Sequence, residues 1–366
     1  MYKEGKAQIR HSKNSFLNPD ARISRDLSVA FVSAFGNKKT KILDSTSATG
    51  IRGIRYYLEG PSKNLTFLEM NKSAYASLKK NISSNKIKSK ALGISIQEFA
   101  NIPGNKFDVI DLDPFGGATP YIYDLMKISR NGTYLLVSVT DAAVLCGADY
   151  KACMRLYDAR PMHNELCQEV GLRLLIGYVT RVAAQFNFGV EVLASFSYLH
   201  YMRIFVRLNH GSQQAIGSIK KLGYVYYCNK CLNRGFEKTA FPSTNNCKMC
   251  GAPLEIAGKV WLDSINQKDA LNSIKAQMKK KPEMYDEKSF AFLDRILEEL
   301  DIPLYYSLSK LTKKMKMGSV SMEKLMDMLG KKGFSVSRTH MAKDAIKTDA
   351  SIEEIKSCIR RVSKGY

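Results

Sequence analysis

Asp113, Pro114, Phe115 and Gly116 follow the buried-strand run Phe107 to Ile110, at the point where such a strand must end. An acid, a proline and an aromatic at a strand mouth can grip a flat nitrogenous base. The carboxylate and a backbone carbonyl accept from an exocyclic amine, while the ring stacks on the base. The lone pair of such an amine is delocalised into the base, so it is a poor nucleophile at neutral pH. An aspartate that accepts its N–H localises the pair and can take the proton as a methyl group arrives. Methylation of an amine is therefore the leading expectation, with Asp113, Pro114 and Phe115 as the catalytic group. That chemistry requires neither a metal nor a covalent enzyme intermediate. Cys146, Cys153 and Cys167 accordingly read as small buried hydrophobes.

The elements that would position this motif alternate strand with helix. Lys41 to Leu43 reads as a strand ending at Asp44, with Gly50 and Gly53 in the turn before a helix reaching Tyr57. Asn64 to Leu68 is the next strand and ends at Glu69; Ala74 to Asn81 is an amphipathic helix. A weak strand at Ala91 to Ile96, a strand at Val109 to Leu112, a helix at Leu125 to Ser129 and a strand at Gly132 to Val139 complete a βαβα pattern. The class is α/β with a parallel, Rossmann-like sheet, whose ligands bind beyond the carboxyl ends of the strands. Asp44, Glu69, Glu98 and Asp113 all fall near those ends. Glu69 can accept both hydroxyls of a ribose, and the glycines let the chain approach a ligand closely. The spacing is neither G-x-G-x-x-G nor a phosphate-binding G-x-x-x-x-G-K-[ST] loop, so an adenosine without pyrophosphate suits it better than a dinucleotide.

The stretches Asp44 to Gly53, Asp113 to Gly116 and Thr140 to Gly147 together resemble the tRNA guanine-26 N2-dimethyltransferases. The likeness continues through Asn18-Pro19 with Arg25-Asp26, through Glu165 to Gly177, and into Arg338-Thr339-His340 and Lys347-Thr348-Asp349. It implies S-adenosylmethionine as methyl donor, with Phe16, Arg25, Asp44, Gly50 and Glu69 around it and Glu98 near the adenine. At Gln97 to Asn101 this chain lacks the paired aspartates expected before Ala-Asn. Gly117 to Pro120 continues the signature in its longer form. The resemblance also implies transfer of two methyl groups to N2 of guanine 26 in tRNA.

Cys228-x-x-Cys231 and Cys247-x-x-Cys250, fifteen residues apart, have the ribbon spacing of a tetrahedral four-thiolate zinc site. A closed site has no open position for water, so the zinc is expected to be structural. Gly251 is expected to turn backbone amides toward the sulfurs.

Beyond Lys268 the chain reads as helical, with a stop at Lys281-Pro282, an amphipathic helix at Ser321 to Leu329, a turn at Gly330 to Gly333 and a basic extended piece to Arg338. This fits a small α+β winged-helix-like unit that lays cations on a phosphate backbone, and the family resemblance implies Arg338, His340 and Lys347 as its RNA contacts. The expected division is a methyltransferase domain over 1–215, a zinc-ribbon module over 216–262 and the C-terminal unit over 263–366. Fifty-six Lys and Arg against 34 Asp and Glu leave a net charge of +22, spread along the chain, which calls for a polyanionic partner such as tRNA. No apolar run approaches the ~18 residues of a membrane span, and Met1 to Arg10 lacks the apolar core of a signal peptide. A soluble, cytoplasmic monomer without an obligate protein partner is expected. Two other readings share the catalytic half: an exocyclic-amine methyltransferase for another tRNA position, rRNA or DNA, and an inactive zinc-containing RNA-binding protein. The match in the zinc module and around Lys347 to Asp349 separates tRNA from the first, and Arg25, Glu69 and Asp113 stand against the second.

Overall fold

The computed structural model describes residues 1–10 and 17–363. Phe16 lies outside the described residues. In chain order the first half comprises β1 (Tyr2–Glu4), β2 (Ala7–Ile9), α1 (Arg22–Phe35), β3 (Ile42–Asp44), α2 (Ile51–Glu59), β4 (Leu65–Leu68), α3 (Lys72–Ser84), β5 (Lys90–Leu92), α4 (Ile96–Ala100), β6 (Val109–Leu112), α5 (Thr119–Lys127) and β7 (Tyr134–Val139). Then come α6 (Ala142–Leu145), α7 (Tyr150–Tyr157), α8 (Cys167–Gln185), β8 (Phe188–Tyr198), β9 (Tyr201–His210) and α9 (Ser212–Ile219).

Seven strands form one sheet in the order β5-β4-β3-β6-β7-β9-β8. Strands β5, β4, β3, β6 and β7 are parallel, as the alternation of strands and helices requires. The hairpin β8–β9, which the sequence reading left unassigned, adds two antiparallel strands beside β7. Chain order reverses between β3 and β6, and this switch point opens a crevice above the carboxyl edge of the sheet. Continuous apolar runs such as Val109-Ile110 and Leu135-Leu136-Val137 have no exposed surface, because helices cover both faces.

Small differences from the sequence reading have local causes. The strand expected over Ala91 to Ile96 stops at Leu92, because Ser95 caps a new helix at Ile96. Gly50 is required by its backbone: φ is +81°, and a Cβ there would lie 2.4 Å from Leu78. Gly53 is required by packing, since a Cβ would meet Phe67 at 2.4 Å and the Asp44 carboxyl at 2.7 Å.

The zinc-ribbon segment contains β10 (Leu222–Tyr227), β11 (Arg234–Glu237) and β12 (Glu255–Trp261) in an antiparallel sheet. After it come α10 (Lys268–Lys280), α11 (Glu287–Glu298), β13 (Tyr306–Ser307), α12 (Leu308–Lys314), α13 (Met322–Lys331), β14 (Val336–Arg338), β15 (Ala345–Thr348) and α14 (Ile352–Ser363). The last three strands pair in the order β13-β15-β14, flanked by helices. The boundary expected at residue 215 falls within α9, and the cores are shared. One buried apolar cluster runs from the sheet through α8 and the ribbon to α14, and the other joins α1 and α2 to α10 and α11.

Candidate functional site

Parallel pairing puts Asp44 beside Asp111 in register, and the last residues of β4 and β6 are followed at once by Glu69 and Asp113. The carboxyl edge therefore presents Asp44, Glu69 and Asp113 along one crevice. A cavity of about 590 Å³ lies there, within the ~300–1,000 Å³ usual for small-molecule sites. Its wall includes Arg25, Asp44, Glu69, Asp113, Pro114 and Phe115, bringing together most of the residues expected from sequence.

The loop after β3 is shaped around Glu69. Its carboxylate accepts from the Ala48 amide at 2.8 Å and, through the other oxygen, from the Asn71 amide at 2.8 Å. Leu68, Met70, Ile94 and Ile96 supply apolar surface next to it. Such a slot suits a flat aromatic ring attached to a polar sugar.

Asp44 is buried and accepts from the Gly53 amide at 3.0 Å. Burial, aided by the neighbouring Asp111 carboxylate, pushes its pKa up to about 7. Among the described residues, Asp44, Asp111 and Asp113 face two guanidiniums, Arg52 and Arg203. This imbalance favours a cationic ligand. Two buried hydroxyls on the same wall, Ser24 Oγ and Tyr201 Oη, have no hydrogen-bond partner among the described residues. Groups of this kind are normally satisfied, so they mark positions where a polar ligand fits.

Asp113 is the carboxylate that opens on the cavity, with 37% of its side-chain surface exposed. Its amide donates to Thr46 Oγ1 at 2.9 Å. Desolvation alone would raise its pKa, but the Arg52 and Arg203 guanidiniums hold it below the ordinary carboxylate range. Phe115 beside it presents 67% of its surface. The following glycine, with φ +81°, clasps the Thr140 loop through Gly116 N–H to Thr140 Oγ1 at 2.8 Å and Thr140 N–H to the Gly116 carbonyl at 3.0 Å. Two of the stretches that carry the family likeness thus meet in one turn.

Sequence reasoning missed Arg52, Asp111 and Arg203. Arg52 Nη2 lies 2.5 Å from Asp113 Oδ2, Arg203 Nη2 lies 2.8 Å from Asp111 Oδ1, and the Tyr56 hydroxyl donates to Asp111. A signal was available: an acid inside the apolar run of β6, and an arginine inside that of β9, must each be paired when buried.

Three expectations fail. Glu98 is exposed and folds back on its own helix start, accepting from the Ser95 amide at 2.7 Å and hydroxyl at 2.9 Å. Those bonds lower its pKa. It is a capping acid outside the cavity wall, although Ser95 itself belongs to that wall. His340 and Lys347 are not surface contacts. The His340 ring is fully enclosed, with Nδ1 2.6 Å from Glu299, and Lys347 bridges Glu299 at 2.9 Å and Glu169 of α8 at 3.4 Å. Buried polar side chains need partners, and through Ser197 of β8 and Glu169 of α8 these two tie the C-terminal unit to the large sheet. Arg338 is half-exposed and pairs with Glu323.

The four thiols of Cys228, Cys231, Cys247 and Cys250 converge, with all sulfurs within 4.8 Å of one another. The Cys228–Cys250 and Cys231–Cys247 sulfur distances are 3.5 and 3.6 Å. A tetrahedron with ~2.3 Å metal–sulfur bonds has ~3.8 Å edges, so the set fits zinc. Burial raises the Cys247 thiol, but the Met249 and Cys250 amides outweigh it and bring the pKa down to about 6. The Gly251 amide donates instead to the Cys247 carbonyl at 2.8 Å.

Comparison with known proteins places these features in one family. The model for N2,N2-dimethylguanosine tRNA methyltransferases matches residues 2–360. The tRNA (guanine(26)-N(2))-dimethyltransferase of Methanothermobacter thermautotrophicus is 31% identical, over 94% of this chain and 92% of that one. The protein of the same description from Pyrococcus abyssi is 32% identical over 96% of each. The structure of Trm1 from Pyrococcus horikoshii with S-adenosyl-L-methionine superposes with a TM-score of 0.89 at 29% identity, over 98% of both chains. With cavity, strand-end acids and four-thiol cluster all inside the matched span, the chain belongs to the N2,N2-dimethylguanosine tRNA methyltransferase family.

Proposed function

We propose that this protein transfers two methyl groups to the exocyclic N2 of guanine 26 in tRNA. The observation that carries the reading is the partly open Asp113 carboxylate beside the exposed Phe115 ring, at the mouth of a cavity whose inner wall suits an adenosine. S-adenosylmethionine, when bound, supplies a methyl group on a cationic sulfonium. Glu69 would hold its ribose, and Arg25 and Asp44 would flank it. Phe115 stacks on the target guanine, while Asp113 accepts an N–H from the amine, localises the nitrogen lone pair and takes the released proton. Because Asp113 keeps part of its surface open, that proton can pass to water, and the same geometry can serve a second round.

Affinity for tRNA comes from phosphate contacts. With His340 and Lys347 enclosed, the exposed lysines 310, 313, 314 and 316, on α12 and just beyond it, replace them in this reading, beside Arg338. Among the described residues, no helix is long and apolar enough to cross a membrane.

The target base must leave its stack to reach Phe115 and Asp113, which costs a few kcal/mol, so a folded tRNA that lends binding energy is required. Nucleoside mass analysis of an unmodified tRNA transcript, incubated with protein and labelled donor, should reveal dimethylguanosine. A transcript with adenine at position 26 should incorporate no label; equal incorporation would overturn the assignment.

A further inference from the structure

Asp113 follows the last residue of β6, and nothing in its own backbone selects a rotamer. Two side chains do. Arg52 Nη2 holds Oδ2 at 2.5 Å, and the Ser138 hydroxyl donates to the same carboxyl. Ser138 in turn accepts from Arg203 Nη1 at 2.7 Å. Ser28 Oγ accepts from both guanidiniums, at 3.2 Å from Arg52 and 3.0 Å from Arg203. Asp111 stands behind, 3.7 Å from Arg52 and 2.8 Å from Arg203. The Arg52 side chain is 6% exposed and that of Arg203 fully enclosed, so neither can swing away.

We propose that Arg52 is a positioning residue for methyl transfer, fixing through one ion pair both the orientation and the ionised state of Asp113. The proposal rests on the reading of Asp113 as the group that accepts the guanine amine. Orientation matters because the amine nitrogen must meet the methyl carbon in line, and a displacement of ~1 Å can cost ~10² in rate. A paired carboxylate is a weak base, but a weak base suffices. Once nitrogen has formed its bond to carbon it is cationic, and its N–H is strongly acidic. The step balances: a nitrogen–carbon bond forms, a sulfur–carbon bond breaks with its electrons left on sulfur, and the proton goes from nitrogen to Asp113 and then to water. What the site needs from Asp113 is a fixed negative charge before that moment.

The charged and titratable groups facing Asp113 come from four elements: Asp44 at the end of β3, Arg52 and Tyr56 of α2, Asp111 of β6, and Arg203 of β9. Of these, Arg52 is the one bonded to it directly. Removing its charge therefore raises the proton affinity of Asp113. The acid limb of the rate profile must then move to higher pH.

The test measures single-turnover rates across pH, with donor affinity by calorimetry, for Arg52→Gln, Arg52→Lys, Asp113→Asn and the Arg52→Gln/Asp113→Asn double variant. For Arg52→Gln the expected outcome is a rate lower by about 10² with donor affinity within about threefold, and an acid limb shifted up by about one pH unit or more. Arg52→Lys keeps the charge but loses the fork, so the rate should recover only in part, to about tenfold below wild type, with most of the limb shift abolished. The double variant should be no slower than Asp113→Asn alone. A slowed Arg52→Gln whose acid limb stays in place, or whose donor affinity falls in step with the rate, would overturn the proposal. Should Arg52→Gln fail to melt cooperatively, Arg52→Lys decides: an unchanged rate at unchanged donor affinity also overturns it. A fully active Asp113→Asn would instead overturn the reading on which the proposal rests.

Discussion

Two buried charge networks of similar make-up do opposite things in this molecule. At the sheet edge Asp111 and Asp113 pair with Arg52 and Arg203; at the C-terminal junction Glu169 and Glu299 pair with Arg173, His340 and Lys347. The second is closed: its carboxylates are at most 5% exposed, and every oxygen faces a cation or an amide. Burial would raise the Glu299 carboxyl, yet His340 and Lys347 hold it far below the ordinary range. The first network is closed at its base and open at one end, where Asp113 keeps 37% of its surface. Residue type does not distinguish a latch from a reactive site. The open end does, because a carboxylate can act on a ligand only where its lone pairs are not all engaged.

The largest expected effect breaks the open network. Asp113→Ala should lower the methyl-transfer rate by ~10² to 10⁴ while leaving donor affinity within about tenfold, since the acid acts on the amine. Near-wild-type turnover in single-turnover assays would remove Asp113 from the chemistry.

Breaking the closed network should cost stability and leave chemistry alone. Lys347→Met takes a cation from two buried carboxylates, leaving Arg173 on Glu169 and His340 on Glu299, and should destabilise the fold by up to ~3–5 kcal/mol in denaturant unfolding. The log–log salt slope of tRNA binding, measured well below the melting temperature, should stay at the wild-type value, because an enclosed lysine neutralises no phosphate. A shallower slope would return Lys347 to the RNA interface.

Glu69 after β4 and Glu98 in the first turn of α4 sharpen the same distinction around one cavity. Glu69→Ala should weaken S-adenosylmethionine binding by ~1.5–3 kcal/mol in calorimetry, as expected for losing a charged acceptor. Glu98→Ala should leave that affinity unchanged and lower the melting temperature only slightly, through loss of a helix cap. Equal effects on donor affinity would mean that Glu98 reaches the ligand.

A pH series probes Asp44. Its carboxyl titrates at about 7 because burial and Asp111 disfavour the charge. Below that pH it is protonated, so binding a cation requires expelling the proton; above it, no such cost exists. Donor affinity should therefore be flat above about pH 7 and fall by up to about tenfold per unit below it, with Asp44→Asn removing the dependence. A flat profile in the wild-type protein would place the cationic centre away from Asp44.

Much of the site was legible in the amino-acid order because local rules generate it. Alternating strand and helix patterns require a parallel sheet, a parallel sheet binds at its carboxyl edge, and Asp44, Glu69 and Asp113 sit one step from that edge. The C-x-x-C pairs likewise carry their own geometry, since each turn aims two sulfurs at one point. Glu98 was misplaced at a strand end because a hydroxyl at Ser95 and an acid three residues later close a capping box, which starts helix α4 there and turns the carboxylate back on its own backbone. Arg52, Asp111 and Arg203 needed the fold: 151 positions separate the two arginines in the chain, and only the pairing of β9 with β7 brings them to one carboxylate. For His340 and Lys347, side-chain type announced a polar group suited to phosphate but not which face of the C-terminal unit packs on α8. Long-range packing decides that face, and with it whether a positive charge meets phosphate in water or glutamate in the core.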